Sequence, residues 1–299
     1  MIVVYNTCGI SGKDNTDYYI RGIYSLLNQD FTDKKIVLSA CLNKDEHIDK
    51  LRKEFGNSIN YSIINEKYTV NITFNKTIQE SIKHLGSHSG YLYMDSGCIM
   101  NYTDTISRMN DYFDTNLYGM VHCKPSNDSG LLDWMGVRPE DEHNMIVPVG
   151  IGINLHCTIF HNDLYDVLGN IIPDIFKCYC TESVFTFLCE AIGRKSLYFV
   201  DRIIEHLRHM DGPSSGYLAE SKTHFFDTFI DLIGPLQTQE CHDCGFGYEE
   251  CSRIKVHNRN AYDENYKCKD PARLAKFIKE NIFMSKDILD YNNIKCEWF

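Results

Sequence analysis

An apolar run that ends abruptly in an acidic residue stands at Tyr91–Gly97, whose sequence is YLYMDSG. The pattern predicts a short buried strand that finishes at Asp95 and is followed by the small residues Ser96 and Gly97. In open α/β sheets ligands bind outside the carboxyl ends of the strands, so this carboxylate is expected where chemistry usually occurs. A carboxylate in that place suits a hard divalent cation such as Mg²⁺ or Mn²⁺. The alternative is an aspartate that stabilises a turn.

A polar segment later in the chain, HLRHMDGPSSG, contains residue types that bind metals and anions. Arg208 and Ser214 are suited to binding phosphate oxygens, and His206 and His209 lie in the same segment. A solvated surface loop with exposed histidines is the competing interpretation.

Four cysteines in the C-terminal part form a third group, and two of them have the Cys-x-x-Cys spacing of a metal site. Two interpretations stay open, a structural Zn²⁺ site and a set of free thiols. The group consists of Cys241, Cys244, Cys251 and Cys268, with His257 as a substitute for the last.

The elements that must position these residues follow a βαβ pattern in the first 120 residues. Their order and right-handed crossovers predict one parallel sheet. The predicted strands are Ile2–Tyr5, Lys35–Ala40, Tyr61–Ile64 and Tyr91–Met94, and the predicted helices are Thr16–Asn28, Lys44–Phe55 and Thr73–Leu85.

Beyond residue 120 the alternation is less regular. The pattern predicts strands at Val147–Cys157, Thr158–His161 and Leu197–Val200, and a helix at Thr181–Ile192, while His206 falls in the loop that follows. We predict one α/β catalytic domain over residues 1–235 and a Cys-containing, partly helical appendage over residues 236–299.

Composition limits the classes of function. The chain has 299 residues, of which 43% are hydrophobic and 24% charged, as in an ordinary globular protein. The net charge of -11 argues against nonspecific binding of nucleic acid. We expect no transmembrane segment and no signal peptide, and therefore a cytoplasmic protein whose 13 cysteines are mostly reduced. The sequence does not determine an oligomeric state.

A resemblance to a known family rests on several of these residues taken in order. Ser25, Leu26 and Gln29 end a helix before the strand KIVLSA, Asn75 lies on a later helix, and Asp95-Ser96-Gly97 follows a further strand. This arrangement resembles the family-2-like nucleotide-sugar glycosyltransferases of GT-A fold, with their Asp-x-Asp metal motif altered at Gly97. The resemblance implies a Rossmann-like, mainly parallel central sheet flanked by helices.

The resemblance also implies a donor site. The chain has Ser39 and Ala40 where the family has acidic residues that hold the nucleobase, so Asn6 and Thr7 become the nearest base-binding candidates. A Mn²⁺ or Mg²⁺ ion would be held by Asp95 and His209. The full set of implied donor contacts is Asn6, Thr7, Asn75, Asp95, Ser96, Arg208 and Ser214.

The implied reaction moves a sugar from a UDP- or GDP-linked donor to a hydroxyl of a glycan or another acceptor. Glu182, in the first turn of a predicted helix, corresponds to the general base of inverting members. The competing interpretation is an acidic residue that stabilises the helix N-terminus.

Two other functions stay open. A sugar nucleotidylyltransferase shares the sheet architecture, but its basic Gly-rich loop is represented here only by Lys13 within Cys8–Asp14. A degenerate glycosyltransferase that binds nucleotide sugars or glycans without turnover would be consistent with Gly97.

Overall fold

The structure is a computed structural model of the chain. It describes residues 1–8, 15–41, 43–66, 68, 70–113, 115–126, 143–147, 155–168, 185–186, 188–189, 192–206 and 291–299.

Strands and helices alternate in the N-terminal part, as the sequence predicts. The strands are β1 (Ile2–Cys8), β2 (Lys35–Cys41), β3 (Asn60–Ile64), β4 (Gly90–Asp95), β5 (Cys98–Met100), β6 (Tyr118–Pro125), β7 (Met145–Ile146), β8 (Cys157–His161), β9 (Lys195–His206) and β10 (Glu297–Trp298). The helices are α1 (Thr16–Leu27), α2 (Asp45–Phe55), α3 (Val70–Leu85), α4 (Thr105–Phe113) and α5 (Asn162–Leu168), with short 3₁₀ turns at Gly56–Ser58 and Tyr291–Asn293.

All of the strands belong to one sheet, in the order β10-β3-β2-β1-β4-β8-β6-β9-β5, with β7 paired to β9. The four central strands β3, β2, β1 and β4 run parallel. The second half is mixed, because β8 is antiparallel to both β4 and β6, whereas β6 and β9 are parallel. The predicted fold class, an α/β protein with a Rossmann-like sheet flanked by helices, is confirmed.

Helices cover both faces of the central strands. On one face Tyr19, Ile23 and Leu26 of α1 pack in the same buried cluster as Val3 of β1 and Leu92 of β4. On the other face Phe74 of α3 meets Tyr93 edge to face, with ring centroids 5.1 Å apart. Because successive side chains of a strand point to opposite faces, strands that are covered twice become continuous apolar runs.

Ser25 and Gln29, two residues that carry the family resemblance, have a structural role. The Gln29 amide donates to the backbone oxygen of Tyr102 at 2.7 Å, and its side-chain oxygen accepts from the backbone nitrogen of Ile106 at 3.0 Å. The Ser25 hydroxyl accepts from the backbone nitrogen of Met100 at 3.1 Å. These buried bonds fix the end of α1 against the segment that follows Asp95.

Two predictions for the later part need correction. The predicted strand Leu197–Val200 extends over all of β9, because Ile204 and His206 gain β5 as an antiparallel partner. The predicted strand Val147–Cys157 is wrong at residues 155–156, which precede β8 without strand structure. Residues 148–154 lie outside the described part.

The last nine residues join the sheet of the predicted catalytic domain. Strand β10 pairs antiparallel with β3, and the ring of Phe299 stacks on that of Tyr61 at 5.1 Å. The guanidinium of Arg52 lies 3.8 Å above the centre of the Phe299 ring, an attractive cation–π contact. The predicted domain boundary near residue 236 lies outside the described residues and stays a prediction. Among the helices that the structure describes, none has the length and apolarity needed to cross a membrane.

Candidate active site

Asp95 ends β4 at the carboxyl edge of the parallel strands, and its turn is held from both sides. Its carboxylate accepts a hydrogen bond from the backbone nitrogen of Ser96 at 2.9 Å. Its backbone nitrogen donates to the oxygen of His156 at 2.8 Å. From below, the buried Tyr5 hydroxyl donates to the oxygen of Ser96 at 2.8 Å. The Asp95 side chain therefore extends from a turn whose backbone is fixed by hydrogen bonds. Asp95 is partly exposed to solvent.

Three further side chains gather beside this turn, each from a different strand or strand end. Cys98 begins β5, His206 ends β9, and the two are directly opposite partners in the antiparallel pair. His156 immediately precedes β8. One ligand atom from each of the three side chains lies within 4.8 Å of the others. We call Cys98, His156 and His206 the thiol–imidazole cluster.

Asp95 adjoins this cluster through its second carboxylate oxygen, which lies 3.6 Å from Nδ1 of His156. The imidazole rings of His156 and His206 face each other with centroids 3.7 Å apart. Cys98 is completely buried, whereas the two histidines are partly exposed. The cluster thus has a thiol at its base and two imidazoles towards solvent.

Burial also shapes the proton affinities around the cluster. Desolvation raises the pKa of the Cys98 thiol well above its usual range, and the nearby Asp95 carboxylate raises it further. Desolvation likewise raises the pKa of the Tyr5 phenol far above its ordinary value, so Tyr5 stays a hydrogen-bond donor.

His122 lies behind the cluster on β6. Its Nδ1 is 2.7 Å from the hydroxyl of Thr158, and its ring stacks on Tyr198. Its Nε2 is buried and has no hydrogen-bond partner among the described residues. Desolvation lowers the pKa of His122 well below its usual range, and His156 lowers it further.

A divalent ion fits the chemistry of this donor set. Two imidazoles, one thiol and one neighbouring carboxylate are the groups that bind transition metals. The set does not suit Mg²⁺, which takes oxygen ligands, because Gly97 supplies no second carboxylate.

The candidate base-binding residues lie one strand away. Asn6 is the direct partner of Asp95 in the parallel register of β1 and β4. The side-chain oxygen of Asn6 is buried without a partner among the described residues. Thr7 is also buried, and its hydroxyl donates to the backbone oxygen of Ser39 at 3.1 Å.

Asn75 has a hydrogen-bond partner in the C-terminal residues. It is buried on α3, and its amide donates to the hydroxyl of Tyr291 at 2.9 Å. The structure thus brings Asn6, Asp95 and Ser96 together, while Asn75 is bonded to Tyr291. The other predicted site residues, Glu182, Arg208, His209, Ser214, Cys241, Cys244, Cys251 and Cys268, lie outside the described residues.

Cys98 and His156 are site residues that the sequence pattern does not predict, and His206 lies in a strand where the pattern predicts a loop. The short spacing from Asp95 to Cys98 across a two-residue turn was the available signal for the thiol. For His156 there was no local signal, because only the sheet pairing brings it to Asp95.

Comparison with known proteins gives relatives in structure alone. No protein-family model and no curated protein sequence matches the chain. TarS of S. aureus superposes with a TM-score of 0.56 at 15% identity, over 86% of this chain and 43% of TarS. The chain therefore spans less than half the length of TarS.

A second similar structure is the mannosyltransferase PcManGT from Pyrobaculum calidifontis, solved in complex with GDP-Man and Mn²⁺. It superposes with a TM-score of 0.53 at 12% identity, over 93% of this chain and 74% of that protein. Both proteins are glycosyltransferases. The chain shares the α/β fold of these glycosyltransferases, with its thiol–imidazole cluster and Asp95 at the carboxyl edge of the central strands.

Proposed function

We propose that the protein transfers a sugar from a nucleotide-diphosphate sugar, UDP- or GDP-linked, to a hydroxyl of a glycan or another acceptor. One observation carries the proposal. Asp95 and the thiol–imidazole cluster lie at the carboxyl edge of β4, beside the end of β1, in a fold shared with two glycosyltransferases.

In this proposal the donor lies across the ends of β1 and β4. Asn6 and Thr7 line the nucleobase side, because they lie near the carboxyl end of β1, the strand next to Asp95. Asp95 and Ser96 contact the ribose and diphosphate side. Arg208 and Ser214 supply a cation and a hydroxyl to the phosphate oxygens, and Asn75 contributes from α3.

The proposed reaction is a single displacement. The acceptor oxygen forms a bond to the anomeric carbon, the bond from that carbon to the diphosphate oxygen breaks, and Glu182 takes the acceptor proton. The diphosphate leaves with the bonding electron pair. A divalent ion held by Asp95, the cluster histidines or His209 would neutralise the charge that develops on this leaving group.

Nucleotide products distinguish this function from its rivals. The full-length protein is incubated with GDP-mannose and with UDP-sugars, and separately with a nucleoside triphosphate and a sugar phosphate. Each incubation is done with and without divalent ions, and the products are identified by mass spectrometry. Water can take the place of the acceptor. Release of nucleoside diphosphate and free sugar in equimolar amounts, faster than without protein, supports glycosyl transfer. Pyrophosphate formed from a nucleoside triphosphate and a sugar phosphate, or tight binding with no turnover, would overturn it.

Asp95→Asn and Asp111→Asn form a matched pair for this assay. Asp111 is an exposed carboxylate near the end of α4, away from the candidate site. We expect Asp95→Asn to abolish most of the diphosphate release and Asp111→Asn to leave it unchanged. Equal activity in both variants would contradict the placement of the donor.

A further inference from the structure

We propose that Cys98, His156 and His206 form a three-ligand site for a borderline transition metal ion, with Zn²⁺ as the best match, and that Asp95 is the carboxylate partner of His156. The site differs from the oxygen-ligated Mg²⁺ or Mn²⁺ centre that the sequence predicts. It stands on the cluster itself and does not depend on the proposed sugar transfer.

The separation of the three ligand atoms is the first argument. They lie within 4.8 Å of one another. With metal bonds of about 2.3 Å to sulfur and about 2.0 Å to nitrogen, tetrahedral ligand atoms are about 3.3–3.6 Å apart. The largest contraction needed is about 1.2–1.5 Å, which rotation of the side chains can supply. The two imidazoles must then turn from their face-to-face contact, while the backbone stays in place.

The backbone that carries the ligands is already fixed. Cys98 and His206 face each other in the β5–β9 pair. The backbone oxygen of His156 accepts from the backbone nitrogen of Asp95 at 2.8 Å and lies 3.4 Å from the Cys98 sulfur. Residues far apart in the sequence therefore meet in one place on a hydrogen-bonded sheet backbone, and the ordering cost of binding falls mainly on three side chains.

The ligand types decide which ion the site prefers. Thiolate and imidazole favour Zn²⁺ and Co²⁺, whereas carboxylate, carbonyl and water oxygens favour Mg²⁺ and Mn²⁺. The buried Cys98 thiol lies at the base of the cluster, where its sulfur would bind the metal directly. Gly97 stands in place of the second aspartate of the expected motif, so a second carboxylate ligand is missing.

The exposure of the ligands indicates an open coordination position. Cys98 is buried, but His156 and His206 are partly exposed, so the fourth position faces solvent beside Asp95. Zinc sites with three protein ligands and one open position bind water or substrate there. A phosphate oxygen is the class of ligand that suits this position.

Asp95 lies close enough to His156 to become its outer partner. A ligating histidine usually donates its second ring N–H to a carboxylate, which fixes the ring orientation. The Asp95 carboxylate lies 3.6 Å from Nδ1 of His156, and a small turn of the ring would complete this hydrogen bond and leave Nε2 for the metal.

Cobalt spectroscopy tests the thiolate directly. Metal-free full-length protein is titrated with Co²⁺, and the thiolate-to-cobalt charge-transfer absorption is recorded. This absorption is needed because most sites with nitrogen ligands already prefer Zn²⁺ to Mn²⁺. A preference for Zn²⁺ would therefore not show that a thiolate binds the ion. We expect a charge-transfer band that Zn²⁺ removes by displacement and that excess Mg²⁺ does not.

Three cysteine variants assign the band. Cys98→Ser should lose one equivalent of it. Cys41→Ser, at a buried free thiol on β2, is the matched control and should keep it. Replacing Cys241, Cys244, Cys251 and Cys268 together by Ser should also leave this equivalent intact. A band of undiminished intensity in Cys98→Ser, or one that disappears only with the four tail cysteines, would overturn the site.

Histidine variants keep the test decisive if Cys98→Ser fails to fold, which circular dichroism would reveal. Loss of an outer partner typically weakens metal binding by about 10–100-fold. His206→Gln, at a partly exposed position, removes a direct ligand and should weaken Zn²⁺ binding by more than that. Asp95→Asn should weaken it by about 10–100-fold. Unchanged Zn²⁺ affinity in His206→Gln and His156→Gln, measured by chelator competition, would refute the proposal.

Discussion

The hydroxyl of Tyr5 donates a hydrogen bond to the backbone oxygen of Ser96 at 2.8 Å, across 91 positions of sequence. Tyr5 is completely buried on β1 and Ser96 lies in the turn after Asp95. One phenol therefore connects the core of the sheet to the turn that carries the candidate site.

Removing this phenol tests how much the connection contributes. Tyr5→Phe leaves the buried oxygen of Ser96 without its donor, which costs about 1–3 kcal/mol of unfolding free energy. Tyr24→Phe is the control, because Tyr24 is exposed and its hydroxyl donates to the exposed carboxylate of Glu54. Urea denaturation of the two variants should show a large loss for Tyr5→Phe and almost none for Tyr24→Phe. Similar losses would contradict the role given to Tyr5.

Gly22 on α1 makes room for the same phenol. A Cβ atom at position 22 would lie 2.2 Å from the Tyr5 hydroxyl oxygen. Alanine would improve helix propensity by about 1 kcal/mol, but overpacking of a buried anchored ring costs about 1–3 kcal/mol. We expect Gly22→Ala to be destabilising overall.

A double variant separates the clash from a helix effect. In Tyr5→Leu the ring is gone, so adding Gly22→Ala should cause no further loss and should even stabilise that background. The comparison is made by urea denaturation of all four proteins. Additive losses would show that Gly22 matters for a reason other than the Tyr5 ring.

The burial of His122 should make the stability of the fold depend on pH. Its folded pKa lies well below the unfolded value of about 6.5, because burial disfavours the cation. Above pH 6.5 both states are neutral and its contribution is complete. As the pH falls below 6.5 the unfolded state takes up the proton first, so the free energy of unfolding decreases by up to about 1.4 kcal/mol per pH unit until the folded pKa is reached.

His122→Gln isolates this contribution. Glutamine keeps a polar partner for the Thr158 hydroxyl but does not titrate. The unfolding free energy of the variant should fall less steeply than that of the wild type between pH 6.5 and 5, in matched urea titrations. Parallel pH profiles would mean that His122 gains its proton in the folded state as easily as in the unfolded state.

Asp104 and Arg202 join the start of α4 to β9. Their bidentate pair, with Arg202 Nε 2.7 Å from Asp104 Oδ1, lowers the pKa of the Asp104 carboxyl to about 2. A lowered folded pKa gives stability that is present above the unfolded value and is lost as the pH falls through about 2. In Arg202→Gln the Asp104 pKa, followed by carboxyl NMR, should return towards its usual value of about 3.9. An unchanged pKa would show that the hydrogen bond and charge of Arg202 are not its cause.

The parallel half of the fold was predictable because its signals are local. The apolar runs of β1, β2 and β4 and the helical periodicity of α1 and α3 are covered by neighbours along the chain, so pattern and structure agree. Ser25 and Gln29 stand out in the sequence as motif residues, but the sequence does not show what they do. In the structure their side chains form hydrogen bonds with the backbone of Met100, Tyr102 and Ile106.

The cluster was not predictable for the opposite reason. His156 has no regular structure and 58 residues separate it from Cys98, so only the β4–β8 pairing brings it to the site. The sequence pattern predicts a loop at His206, because polar residues occur in the last part of β9. In the structure β5 pairs with that end of β9 and keeps it in the sheet. Sheet register over long separations sets both positions, and sequence periodicity does not contain that information.

Asn6 gives the last prediction, which concerns the nucleotide. Its buried side-chain oxygen has no partner among the described residues, and an unpaired buried acceptor costs about 1–3 kcal/mol. An N–H group of a nucleobase would satisfy it in the position that we propose for the donor. Asn6→Leu should therefore leave the stability of the free protein unchanged or higher, while it weakens binding of GDP or UDP by about 2–10-fold.

Calorimetric titration and urea denaturation measure the two effects separately. Thr7→Val is the companion variant, because the Thr7 hydroxyl already bonds to Ser39 and its loss should reduce stability more than nucleotide affinity. Lower stability with unchanged nucleotide affinity in Asn6→Leu would place the partner of this oxygen within the protein, and the nucleobase would then have to bind elsewhere along the strand ends.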